Sequence, residues 1–121
     1  METKQSIAFK QKQNATSSVE NNITAHAGGT QAAALALDSS KTIHNVTIVA
    51  TASDSVKLPL ATGSGVQHIV NNASATSLKI FGSGTDTIDA VATATGVSIA
   101  GGKARLLIDI AVGKWISMLG A

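Results

Sequence analysis

The chain contains no cysteine, which excludes disulfides and thiolate metal sites. It has one proline, Pro59, and its aromatic residues are two phenylalanines and one tryptophan, 2% of 121 residues. Any core is therefore built from Val, Ile, Leu and Ala, whose smaller side chains each bury less area, at roughly 25 cal/mol per Å². A thin aliphatic core makes oligomerisation a natural second source of stability. Charged residues are 13% of the chain and the net charge is +2. That is a sparse surface, and no basic cluster with interleaved aromatics is present, so no nucleic-acid partner is expected. No apolar run approaches a membrane span, so no membrane partner is expected either. Met1-Glu2-Thr3-Lys4-Gln5 opens no apolar signal region, and cytosolic synthesis is the expectation.

What the chain does have is a period of two. From Val56 to Asp89 the apolar residues alternate, with turns at Gly63-Ser64-Gly65, Asn71-Asn72-Ala73-Ser74 and Gly82-Ser83-Gly84. Short alternating runs broken every eight to twelve residues read as an antiparallel meander or sandwich. The pattern continues outside this block. Ala33, Leu35 and Leu37 suggest a strand. Thr42 to Ala50 suggests another, with His44, Val46, Ile48 and Ala50 on one face and Asn45, Thr47 and Val49 on the other. Gly101-Gly102 reads as a two-residue hairpin turn. In the strand that follows, Ala104, Leu106, Ile108 and Ile110 are expected to face inward, with Lys103, Arg105 and Asp109 outward. Trp115 to Leu119 forms the last strand. The expected fold is all-β: a small antiparallel β-sandwich or barrel of about eight strands, residues 26–121. Residues 1–25 are polar and mixed, and read as an extended N-terminal arm.

The candidate chemistry is thin. His26, His44 and His68 lack the local pairing of a metal site, although His44 and His68 could meet on one sheet face. Asp86 and Asp89 have too few oxygen neighbours for a calcium loop, and Asp86 reads as a cap on a turn. Gly82-Ser83-Gly84 and Gly101-Gly102-Lys103 lack the spacing and the helix of a phosphate loop. There is no G-x-S-x-G element. The sequons at Asn14, Asn22, Asn45 and Asn72 read as chance in a Ser/Thr-rich chain. No catalytic residues, no cofactor and no metal are expected.

One set of residues carries a resemblance. Asp54-Ser55-Val56-Lys57-Leu58-Pro59, then Gly63, Asn71, Thr85-Asp86-Thr87-Ile88-Asp89, Gly101-Gly102 and Gly113-Lys114-Trp115 together are similar to small bacteriophage virion proteins. These are capsid decoration (cement) proteins and head-fibre or tail-associated β domains. The resemblance spans roughly residues 25 to 119. It implies a structural virion protein, made in the host cytoplasm, that binds the major capsid protein on the outer surface of a phage head. It also implies a homotrimer suited to a threefold point. On that reading Ile7, Phe9, Lys10 and Lys12 in the arm are candidates for capsid contact. Pro59, Leu106 and Trp115 are candidates for the interface between copies. Alternatives are a head-fibre or tail/baseplate-fibre module, and a host- or carbohydrate-binding β module.

Overall fold

The structure, a computed structural model, describes residues 18–120. In chain order the strands are β1 (Val19–Thr24), β2 (Leu35–Ala36), β3 (Ile43–Ile48), β4 (Ser55–Lys57) and β5 (Gln67–Asn72). Then come β6 (Leu78–Phe81), β7 (Thr87–Ile88), β8 (Val97–Ile99), β9 (Ala104–Ala111) and β10 (Lys114–Leu119). Among the described residues there is no helix.

The strands form a six-stranded sheet, ordered β1-β3-β5-β9-β10-β7, and a four-stranded sheet, ordered β2-β4-β6-β8. Successive strands from β1 to β6 alternate between the two. Same-sheet neighbours are thus one full coil apart and run in the same direction. β1, β3 and β5 pair in parallel, as do β2, β4 and β6. This is solenoid-like stacking, and it corrects the expected antiparallel sandwich or barrel of about eight strands. Both arrangements share the alternation of residues and the frequent turns, and differ only in where each strand finds its partner.

Two devices close the stack. β8 returns antiparallel to β6, and β9 antiparallel to β5, followed by the antiparallel β9–β10 pair. β7 then lies parallel on the far side of β10. The Gly101-Gly102 corner carries the chain from the small sheet to the large one, so it is a crossover rather than a hairpin. Its two glycines do different jobs. Gly102 has φ +75°, while a Cβ on Gly101 would lie 2.5 Å from the backbone of Ala75.

The core lies between the sheets and includes Val46, Val56, Val70, Leu78, Ile80, Ile99, Leu107 and Trp115. β1 belongs to it, since Ile23 and Ala25 are buried. The folded unit therefore begins no later than Val19: within the expected arm of residues 1–25, residues 19–25 belong to the sheet and core, and residues 1–17 lie outside the described residues. A bulge in β1 sets Asn21 and Asn22 against Asn45, with Asn22 at φ 54°. It turns Ile23 inward beside Val46. In β3 the expected faces hold for His44 and Val46. They fail beyond Thr47, because Ile48 is exposed and Val49 is buried.

Candidate functional site: an outward aliphatic face

The largest departure from expectation is β9. Leu107 and Asp109 are buried, while Ile110 is 49% exposed. The strand thus faces the opposite way to the one its composition suggests. Asp109 explains the reversal. Its carboxylate accepts the backbone N–H groups of Gly63 (2.7 Å) and Thr62 (2.8 Å) and the Ser64 hydroxyl (3.2 Å). Burial alone would raise its pKa, but these donors outweigh that and hold the carboxyl below its ordinary value. A satisfied carboxylate can sit inside, and its aliphatic neighbours are then turned out.

What they join is a continuous surface. The strand register places Val19, Ile43, Ile69, Leu106 and Met118 in one row across β1, β3, β5, β9 and β10. A second row runs Gln67, Ile108, Ile116. Two shallow apolar grooves open on this face and share Ile69 and Leu106 as walls. Beside the aliphatic row lies an amide ladder. Asn45 Nδ2 donates to Asn21 Oδ1 and Asn71 Nδ2 donates to Asn45 Oδ1, each at 2.9 Å, between residues 24 and 26 apart. No outward strand residue of β1, β3, β5 or β9 is charged. A face of this kind offers area and shape.

Behind it runs a polar chain. His44 Nδ1 donates to Glu20 Oε1 at 2.7 Å, and one proton bridges His44 Nε2 and His68 Nδ1 at 2.8 Å. The edge of His68 then meets Trp115, ring centroids 5.7 Å apart. Burial, followed by the neighbouring His44, lowers the pKa of His68. Only the Glu20 end of this chain reaches solvent, so it braces β1, β3 and β5 across the stack. The two histidines that could share one sheet face do meet; Glu20 was missed. The signal was in the spacing, because Glu20, His44 and His68 repeat at 24 residues.

The acidic pair is divided. Asp86 accepts the Ala61 amide at 2.7 Å, bracing a distant loop, and Asp89 accepts the Ser117 amide at 2.7 Å and the Ser117 hydroxyl. His26 Nδ1 donates to the carbonyl of Ala33. Among the described residues no group of three or more His, Cys, Asp or Glu could hold a metal ion.

The interface candidates fall in three environments. Leu106 stands in the middle of the aliphatic face. Pro59 is half-buried in the connection from β4 to β5. Trp115 is 1% exposed and belongs to the core, where its ring packs on His68, so it has no surface to offer another chain. Ile7, Phe9, Lys10 and Lys12 lie outside the described residues. No protein-family model, no curated protein and no solved structure matches the chain.

Proposed function

We propose that the chain is a structural assembly protein, and specifically a decoration protein that binds the outer surface of a phage head. The observation that carries the assembly part is the reversed β9: an acid turned in and aliphatic residues turned out. Large aliphatic side chains are set in register on a sparsely charged face, and extended apolar faces mark interaction surfaces. The phage setting rests on the resemblance of the Asp54–Pro59, Thr85–Asp89 and Gly113–Trp115 motifs.

The mechanism is bridging. A head under internal DNA pressure yields at the junctions between its subunits. A small protein touching several subunits adds contacts that must break together, and linked contacts gain from high effective concentration. Such a chain sits at a point of local symmetry, threefold or twofold, where every copy uses the same interface. The test is co-sedimentation of the purified chain with empty heads of the phage that carries its gene, followed by heating. The expected outcome is a chain that pellets with the heads and raises their rupture temperature. A chain that stays in the supernatant would sink the decoration reading.

A fibre module is the second reading, favoured by one feature: among the described residues β1 and β2 are the edge strands at the same end of the two sheets, where another module could continue the stack. Pelleting with tails instead of heads would select it. A carbohydrate-binding module has less support, because Phe81 and Trp115 are both buried and leave no stacking platform among the described residues.

A further inference from the structure

We infer that the aliphatic face of the six-stranded sheet is the contact between copies of this chain, each copy laying Ile43, Ile69, Leu106 and Met118 against the same face of a neighbour. The inference builds on the assembly reading and names the partner at that face. Three observations select a second copy.

The first is charge. In a self-contact one patch meets the same patch, so a face carrying charge of a single sign would bury like charges against each other. Here β1, β3, β5 and β9 present no outward charge at all. On the adjoining β10 the outward charge is Lys114, at the end of the strand away from Met118, so a charged partner finds no charge within the row itself.

The second is hydrogen-bonding character. The polar strip beside the aliphatic row is asparagine, and each side-chain amide both donates and accepts. Such a strip satisfies a copy of itself, whereas a carboxylate or ammonium strip cannot.

The third is area. Strands spaced about 4.8 Å apart and rising about 3.3 Å per residue give a six-stranded face of roughly 500 Å² in flat projection, before side-chain relief. Stable interfaces take about 800 Å² from each partner, the same order. Face-to-face sheets also pack at about 10 Å without distortion, so the exposed rows can interdigitate as the inner ones do.

The test is the sedimentation-velocity mass of the full chain, of Leu106→Lys and of Ile69→Lys. Val112→Lys serves as the control, since Val112 is 80% exposed in the β9–β10 turn, away from the row. The expected result is an oligomer for the full chain and for the control, and monomers with unchanged circular dichroism for the two face variants. If the lysine variants misfold, Leu106→Thr is read instead and should weaken association about tenfold or more. A full chain that is monomeric at every concentration overturns the inference, as does an oligomer that survives both lysines. A monomer that associates only after residues 1–17 are deleted overturns it too, by assigning the face to that segment. A monomer whose head binding is lost in Leu106→Lys also overturns it, and gives the face to the capsid protein while decoration stands. An oligomer dissolved by Leu106→Lys, with no variant binding heads, keeps the inference and removes the decoration reading.

Discussion

Leu107 and Asp109 share the inner side of β9, and the cost of placing a carboxylate there is offset by the loop at Thr62–Ser64. Removing the carboxylate strands two backbone donors, and an unsatisfied buried donor costs about 1–3 kcal/mol. Asp109→Ala is therefore expected to lower unfolding free energy by about 2 kcal/mol or more in urea titration. Ile110→Ser, one residue on and facing out, should cost less than about 0.5 kcal/mol. Equal effects would contradict the orientation of β9. His68 sets a pH dependence of the opposite sense to a paired histidine. It faces His44, Trp115, Asp109 and the Lys41 carbonyl, and its pKa in the folded state is lowered, chiefly by burial. The unfolded chain takes up the proton near pH 6.5. Below that the unfolded state binds more protons, so stability falls as pH falls. The melting temperature should drop between about pH 7.5 and pH 5.5, and His68→Gln should flatten that drop. An unchanged slope in the variant would remove His68 as the cause.

Strand β1 is the first strand among the described residues and an edge of the six-stranded sheet. Deleting residues 1–17 leaves every described strand in place, and the melting temperature of that truncation is the reference. Deleting residues 1–24 removes β1, uncovers the edge of β3 and takes Glu20 from His44, so circular dichroism should show a destabilised or unfolded chain. Equal melting temperatures for the two truncations would contradict the place of β1 in the sheet. The strands themselves were legible from alternation: β3, β5, β6, β9 and β10 fall where the period of two puts them. Their facing was less legible. In β9 both sides are plausible cores by composition, with Leu106, Ile108 and Ile110 more apolar than Leu107 and Asp109. What decides is a loop more than forty residues earlier that supplies amides to Asp109, and periodicity within one strand holds no trace of it. β1 was hidden for a related reason. Val19-Glu20-Asn21-Asn22-Ile23 is polar because its inner side meets histidine and its bulge takes asparagine.

At the scale of the whole molecule, the sheet partners were the illegible part. Alternation says that a strand has two faces and says nothing of which neighbour lies beside it. The repeat that does say so is carried by few residues: Glu20, His44 and His68 along one line, Asn21, Asn45 and Asn71 along another. Parallel ladders stack like on like, so such lines identify coils. The candidate face is likewise a property of register, assembled from single residues of five separate strands, and only Leu106 among them was singled out beforehand. The stacked coils have a further consequence. Because each coil leans mainly on the one before and the one after, length is a variable independent of the ends. Tandem duplication of the segment from Ile43 to Val66 would add one rung to each sheet, lengthen the body by about 4.8 Å, and extend the asparagine line by one member. The molecule is built like a ruler whose graduations can be multiplied while both tips stay as they are.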